Sequence, residues 1–352
     1  MTTEEFSRAL HLGGETFHPG DRATVQLPVG HLVTHEMINV TVHVRRGLKP
    51  GPRLLVTAAI HGDEINGVEV IRRLLGRKMP KLAGDLLLVP IANLPAFLGR
   101  SRYLPDRRDL NRLFPGSTTG SFGARLARVL AKDLAGICTH GIDLHTGAVT
   151  RPNLPQIRFS GEVGGAQDMA SAFGAPVMVQ SAVRAGSFRG EFTETGKPQL
   201  MFEGGEAGIL EPAPVRLAIK GVVSVMRHLG MLPPPRAKEN RPDPVLCVRT
   251  WWQRSPRGGL FLPSADLGKI VSKGQILGKV ADPFSTKKTT VRAEKDGVII
   301  GRARNALIDE GDGLVHLGLT KELDDVADNI EAAEAELDHA LDHPVFDEKL
   351  DD

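Results

Sequence analysis

The chain has 352 residues, of which 41% are hydrophobic and 24% are charged, and its formal net charge at pH 7 is +2. This length exceeds the usual size of a single hydrophobic core, so we expect more than one domain. The chain contains no apolar run long enough to span a membrane as a helix, and its first residues lack the basic start and apolar core of a secretory signal. We therefore expect no membrane partner.

The cysteine content predicts a reducing compartment. Cys138 and Cys247 are the two cysteines of the chain, too few for a disulfide framework. We interpret both as reduced thiols of a cytoplasmic protein.

The charge is unevenly distributed along the chain. From Glu322 to the end there are 13 acidic residues and one lysine, so this segment carries −12 and the rest of the chain +14. A basic body suits either nucleic acid or a substrate that carries a carboxylate. Because neither a nucleic-acid motif nor an aromatic stacking platform accompanies the charge, we expect a small-molecule substrate and no nucleic-acid partner. Assembly into a homo-oligomer is left open.

Residues 1–50 are predicted to form an N-terminal β extension packed on the domain that follows. Strand-like stretches at residues 23–27 and 38–44 are separated by glycine and proline.

Residues 51–235 have the pattern of an α/β domain. The near-continuous apolar run at residues 54–60 is typical of a strand buried on both faces. After it the pattern predicts a helix, a strand, a helix and a strand, at residues 66–75, 85–91, 123–134 and 141–144. This alternation predicts a mostly parallel or mixed sheet flanked by helices, in which ligands bind at the C-terminal ends of the strands.

A proline-rich stretch at residues 232–236 predicts a domain boundary. Residues 245–320 then alternate short apolar strands with glycine turns, and they resemble the small β barrel-sandwich of lipoyl and biotinyl carrier domains. Lys287 and Lys288 lie where such carriers hold a modified lysine, but no methionine flanks them, so we interpret this domain as structural. Residues 321–352 are predicted to be an acidic C-terminal tail, either helical or disordered.

Three residues that suit a metal follow two of the predicted strands. His61 and Glu64, in the sequence HGDE, come directly after the strand at residues 54–60, and His145, in DLHTG, ends the strand at residues 141–144. Neutral imidazole and carboxylate are good zinc ligands, and a set of two histidines and one glutamate leaves one coordination position open for water. The sequence therefore predicts one catalytic zinc ion per chain.

A basic loop at residues 102–116 carries the sequence RDLNRLFPG. The adjacent Asn111 and Arg112 offer several hydrogen-bond donors, and a guanidinium matches a carboxylate bidentately. The alternative is an ordinary solvated surface loop.

The motifs HGDE, RDLNRLFPG and DLHTG, in this order and at these distances, resemble the succinylglutamate desuccinylase/aspartoacylase family, which has a zinc carboxypeptidase-like fold. The resemblance covers about residues 20–320 and is strongest to bacterial N-acyl amino acid deacylases such as N-acetyl-diaminobutyrate deacetylases. It implies a zinc-dependent amidohydrolase that uses metal-activated water to deacylate a small N-acyl amino acid or a related carboxylate-bearing amide.

The resemblance also implies roles for the metal-binding and substrate-binding residues. The zinc ligands of the family correspond to His61, Glu64 and His145. Asn111 and Arg112 match the pair that grips the free carboxylate of the substrate.

The resemblance implies two catalytic residues. Arg102 lies where the family has an arginine that polarises the scissile carbonyl, and Arg100 is the alternative because the spacing within this loop varies among members. The general base of the family corresponds to Glu203, with Glu206 as the alternative.

Two other functions and the identity of the acyl group remain open. A zinc carboxypeptidase acting on a short peptide would use the same carboxylate grip, and a catalytically inactive binding protein could keep the same fold. Some members place a tyrosine from the C-terminal region over the substrate, whereas the single tyrosine of this chain is Tyr103. Arg158, Arg184 and Arg189 could each favour an acidic acyl chain.

Overall fold

The computed structural model describes residues 9–79, 81–235 and 243–320. Its strands are β1 (Leu10–Leu12), β2 (Glu15–Phe17), β3 (Arg22–His31), β4 (Met37–Arg46), β5 (Lys49–Ala58), β6 (Ala83–Val89), β7 (His140–Gly147), β8 (Asn153–Phe159), β9 (Val177–Gln180), β10 (Gln199–Glu206), β11 (Val245–Cys247), β12 (Arg249–Arg254), β13 (Gly259–Pro263), β14 (Ile270–Val271), β15 (Ile276–Ala281), β16 (Lys288–Arg292), β17 (Gly297–Arg302), β18 (Leu307–Ile308) and β19 (Gly313–Leu319). Its α-helices are α1 (Asn66–Gly76), α2 (Leu94–Leu98), α3 (Phe122–Arg128), α4 (Ala166–Phe173), α5 (Phe188–Glu194) and α6 (Pro212–His228).

A mixed sheet in the order β3-β4-β6-β5-β7-β10-β8 forms the centre of the molecule. Strands β6, β5, β7 and β10 are parallel to one another, whereas β4 is antiparallel to both β3 and β6, and β8 is antiparallel to β10. The apolar run in β5 is buried on both faces because Leu54 and Val56 pack on one side and Leu55 on the other. The predicted α/β fold class is thereby confirmed.

Helices cover both faces of this sheet. Helices α1, α4 and α6 contribute to the hydrophobic core on one face. The other face packs against α3, against α5 and against the N-terminal strands, where Phe17, Val25 and Leu27 share a core with Leu55 and Leu87. The predicted β extension thus continues the central sheet through the pairing of β4 with β6.

Several predicted elements have other boundaries in the structure, and for β5 and the helix after residue 122 the backbone shows how. Strand β5 ends at Ala58 rather than at residue 60, because the positive φ of 53° at Ala59 turns the chain out of the sheet. The helix predicted at residues 123–134 is α-helical only to Arg128 and continues with wider π-helical turns over Val129–Leu134.

Part of the C-terminal β-rich region is an extension of the central sheet. Strands β12, β19 and β17 join it through one pairing of Gly301 with Asn153 in β8. A separate four-stranded sheet, β16-β15-β13-β18, shares an apolar core with residues of β17 and β19. The predicted boundary near residue 235 therefore separates two regions that hydrogen-bond to each other.

The cysteines, the helices and the acidic tail were each the subject of a prediction from composition. Cys138 and Cys247 are both free and buried. None of the described helices has the length and apolar character needed to cross a membrane. The predicted acidic tail, residues 321–352, lies outside the described residues.

Candidate metal centre and active site

His61, Glu64 and His145 converge at the C-terminal ends of β5 and β7. Glu64 Oε1 lies 2.7 Å from His61 Nδ1, and Glu64 Oε2 lies 2.6 Å from His145 Nδ1. All three side chains are buried, and one potential ligand atom from each lies within 4.8 Å of the others. The turn that brings Glu64 back to His61 requires glycine at position 62, where a Cβ atom would lie 2.0 Å from the backbone of Ala96.

The electrostatics of this cluster suit a cation. Burial opposes ionisation of Glu64, but His61 and His145 outweigh it and hold the pKa of the carboxyl well below its usual range. Burial likewise disfavours a charged His145, yet Asp143 and Glu64 raise the pKa of its imidazole well above the ordinary value. Imidazoles held against carboxylates in this way attract a proton or a metal ion, and two imidazoles with one carboxylate form a donor set that fits zinc.

Hydrogen bonds on the far side of each imidazole orient its ring. His145 Nε2 lies 2.7 Å from Asp143 Oδ2, and Thr57 Oγ1 donates to the other oxygen of Asp143 at 2.6 Å. His61 Nε2 lies 3.2 Å from Asp109 Oδ1. Such partners direct the opposite ring nitrogen, here Nδ1, toward a metal.

The orienting role of Asp109 was not predicted from the sequence. The signal for Asp109 was present in the motif RDLNRLFPG, two residues before Asn111. Asp63, next to Glu64 in the chain, has a buried Oδ1 without a hydrogen-bond partner among the described residues.

Arg102 lies against the metal cluster, and Arg100 does not. The guanidinium of Arg102 donates to Glu64 Oε1 at 3.2 Å and to Asp109 Oδ2 at 3.0 Å. Its side chain keeps 28% exposure, so part of it remains accessible to solvent. Arg100 is exposed and takes part in none of the hydrogen bonds described at the cluster.

Glu203 lies beside the cluster on the neighbouring strand. It pairs in register with His145 across β10 and β7, so the two side chains point to the same face of the sheet. Its Oε2 accepts a hydrogen bond from Asn153 Nδ2 at 2.9 Å. Glu206 is engaged elsewhere, because its carboxylate accepts from the Thr150 amide and from Arg304, each at 2.8 Å.

The two residues predicted to bind the substrate carboxylate differ in burial. Asn111 is buried in a 3₁₀ turn, where its Oδ1 accepts a hydrogen bond from the Phe188 amide at 2.8 Å. Arg112 is exposed and donates to the carbonyl of Asn111. Tyr103 is also exposed, at 48%.

Arg158 and Arg189 lie near enough to Glu203 to interact with its charge. Arg158 Nε lies 3.9 Å from Glu203 Oε1. Burial, together with the charges of Arg158 and Arg184, lowers the pKa of Arg189 to about 10, although Glu203 opposes the shift. His316, from β19, lies near enough to Arg158 and Arg184 to feel their charges, so the C-terminal region reaches this group of arginines.

Comparison with known proteins agrees with the geometry. Residues 50–229 match the family model described as the succinylglutamate desuccinylase/aspartoacylase catalytic domain. The N-alpha-acetyl-L-2,4-diaminobutyric acid deacetylase of Halomonas elongata is 29% identical over 289 residues, which are 78% of this chain and 84% of that protein.

Two solved structures share the fold over most of their length. The product-bound ectoine utilization protein EutE (DoeB) from Ruegeria pomeroyi has 27% identity and a TM-score of 0.77, covering 85% of this chain and 95% of its own. A succinylglutamate desuccinylase from Silicibacter sp. TM1040 has 27% identity and a TM-score of 0.75, covering 85% and 94%.

Proposed function

Because the chain belongs to the succinylglutamate desuccinylase/aspartoacylase family and is an amide-bond hydrolase, we propose that it is a zinc-dependent deacylase of small N-acyl amino acids or related carboxylate-bearing amides. The observation that carries the proposal is the convergence of His61, Glu64 and His145 beside Glu203. The deacetylase and desuccinylase names of the relatives support the substrate class.

His61 Nδ1, His145 Nδ1 and the Glu64 carboxylate would hold the zinc ion. Bound there, zinc would supply Lewis-acid chemistry, which makes water nucleophilic near neutral pH and polarises an amide carbonyl. Asp109 and Asp143 contact the Nε2 atoms of His61 and His145 respectively, which keeps each imidazole oriented for metal binding through Nδ1.

Glu203 is the proposed general base. Since Asn153 occupies its Oε2, Oε1 is the atom that takes a proton from the attacking water and returns it to the nitrogen of the leaving amine. Glu206 is the weaker candidate because both of its carboxylate oxygens already accept hydrogen bonds.

Arg102 is the proposed donor to the oxyanion that develops on the scissile carbonyl. Asp109 fixes its guanidinium, and a donor oriented in advance needs no reorganisation during the reaction. Asn111 and Arg112 are proposed to hold the carboxylate of the amino acid, so that the amide lies over the metal cluster.

The test combines metal analysis with a substrate panel. We expect about one zinc per chain, and chelator-sensitive release of amine from N-acetyl or N-succinyl amino acids. Reconstitution of the chelated protein with zinc, cobalt and manganese identifies the supporting metals, since this donor set accepts all three. His61→Ala serves as the control that lacks a metal ligand and should contain no stoichiometric metal.

The same panel separates the alternatives. Release of C-terminal residues from short peptides, without turnover of N-acyl amino acids, would show a carboxypeptidase. The absence of both metal and turnover would leave a binding protein on a hydrolase fold and overturn the proposal.

A further inference from the structure

Asn153, at the start of β8, is hydrogen-bonded to the proposed base. Its Nδ2 donates to Glu203 Oε2 at 2.9 Å, and the Glu203 side chain is only 14% exposed. Among the described residues no other hydrogen-bond donor reaches this carboxylate, and the nearest cationic atom, Arg158 Nε, is 3.9 Å from Oε1. Asn153 therefore determines which oxygen of Glu203 remains available.

A strand of the C-terminal region fixes Asn153 in turn. Gly301 of β17 pairs with Asn153, and a Cβ atom at position 301 would lie 2.8 Å from Asn153 Oδ1. A side chain at position 301 would therefore make the Asn153 side chain shift from this position.

Hydrogen bonds on both sides of this pair hold the two segments together. The Arg302 amide donates to the Pro152 carbonyl at 3.3 Å, and the Arg304 amide donates to the Thr150 carbonyl at 2.7 Å. On the other side, Gln156 Nε2 donates to the Ile300 carbonyl at 3.0 Å. The backbone that carries Asn153 is therefore held by the C-terminal region rather than by its own strand alone.

We propose that Asn153 is a positioning residue that orients Glu203 for proton transfer, and that Gly301 holds Asn153 in place. This inference rests on the proposed function, in which Glu203 is the general base. A carboxylate rotates about its terminal bond, and a misplacement of about 1 Å can cost about 10²-fold in rate. By this account the C-terminal region contributes to turnover through Asn153 and Glu203.

The test replaces the donor while keeping its shape. Asn153→Leu has nearly the same shape but carries no hydrogen-bond donor, and Asn153→Ala removes the side chain. We expect kcat for an N-acyl amino acid to fall by about 10- to 100-fold in both variants. KM, the zinc content and the midpoint of thermal unfolding should stay near those of the wild type, because the substrate grip, the metal ligands and the core are untouched.

Gly301→Ala tests the second half of the inference. The added methyl group displaces Asn153 Oδ1, so kcat should fall in the same direction with KM unchanged. Gly258→Ala is the matched control in the same region, because a Cβ atom there meets nothing closer than 3.6 Å, and its kcat should equal that of the wild type.

The outcomes are distinguishable. Wild-type kcat in the Asn153 variants overturns the inference alone, and so does a loss of turnover that comes with lost zinc or a lowered unfolding midpoint. A wild-type kcat in Gly301→Ala would show that the C-terminal region does not position Asn153. A wild-type chain that turns over no amide overturns the proposed function, and the inference falls with it.

Discussion

At the residue scale, the candidate site is a set of buried ionisable groups in mutual contact. Glu64 accepts from Arg102 and from the backbone amide of Thr146 in addition to contacting the two histidines. Buried charges are costly unless they are paired, so this arrangement is stable only when every carboxylate has a cationic or hydrogen-bonding partner.

Glu203→Gln should separate metal binding from turnover. The amide cannot take a proton from water, so we expect kcat to fall by about 10²- to 10⁴-fold while the zinc content stays unchanged. The measurement is initial-rate kinetics together with metal analysis of the same preparation.

Glu206→Gln is the matched control, since Glu206 lies three residues away on the same strand and pairs with Arg304 instead. A variant at position 206 that loses as much turnover as the one at position 203 would show that the assignment of the base is wrong.

The arginines near Glu203 predict a preference for acidic acyl groups. The charges of Arg158 and Arg184 act on Arg189, and the Glu203 carboxylate lies close enough to offset part of this positive charge. We expect N-succinyl substrates to exceed N-acetyl substrates in kcat/KM. Arg158→Gln should reduce this ratio by about tenfold, the size of one charge-assisted hydrogen bond.

Arg292→Gln is the control for this prediction, because Arg292 lies on β16 and donates to the Gly274 carbonyl. An unchanged succinyl-to-acetyl ratio in Arg158→Gln would mean that Arg158 does not contact the acyl chain.

At the element scale, strand β19 brings a buried histidine near Arg158 and Arg184. The ring of His316 stacks on Trp252 of β12 at 4.3 Å between centroids. Burial, reinforced by the charges of Arg158 and Arg184, lowers the pKa of His316 from 6.5 to about 3. Its imidazole is therefore neutral in the folded protein near neutral pH.

This lowered pKa predicts a loss of stability in acid. The unfolded chain binds a proton at His316 as the pH falls through 6.5, whereas the folded chain does not until the pH is near 3. The stabilisation is thus present above pH 6.5 and is lost between these values. Between pH 7 and pH 5 the wild type should lose about 2 kcal/mol more of its free energy of unfolding than His316→Gln.

Urea unfolding of the metal-free proteins at the two pH values measures this difference. His140, whose pKa burial lowers to about 4, gives an independent comparison. His140→Asn should also reduce the loss of free energy of unfolding between pH 7 and pH 5, and its effect should add to that of His316→Gln. Equal losses in the wild type and in His316→Gln would contradict the prediction.

At the scale of the whole molecule, the C-terminal region and the α/β domain share a hydrophobic core. Val245, Cys247, Val298 and Ile300 pack in one cluster with Leu154, Val177 and Val179. The two regions also share a sheet edge through β17 and β8. They are therefore expected to unfold together.

Ile300→Ala tests this coupling. The side chain is fully buried, so its truncation should lower the free energy of unfolding by about 2–5 kcal/mol. Differential scanning calorimetry should show one transition that moves as a whole. Two transitions, of which only one shifts, would show that the regions unfold independently.

Much of the fold could be predicted from local pattern. Strand β5 is buried on both faces, and its residues form a continuous apolar run. Helix α1 is buried on one face, and its apolar residues recur at helical spacing. The ends of elements were less predictable, because the left-handed turn at Ala59 and the π-helical turns after Arg128 depend on packing with distant residues.

The sequence by itself determined the α/β class and brought forward His61, Glu64 and His145, since ligand type and position after a strand are local properties. Only the tertiary structure decided that Asp109 and Asp143 orient the imidazoles, that Asn153 donates to Glu203, and that Arg304 engages Glu206. Three of these four contacts join residues far apart in the chain, and the orientation of each side chain is set by strand register and by close approaches such as that at Gly301. No local pattern encodes such contacts, because they exist only once the sheet has formed.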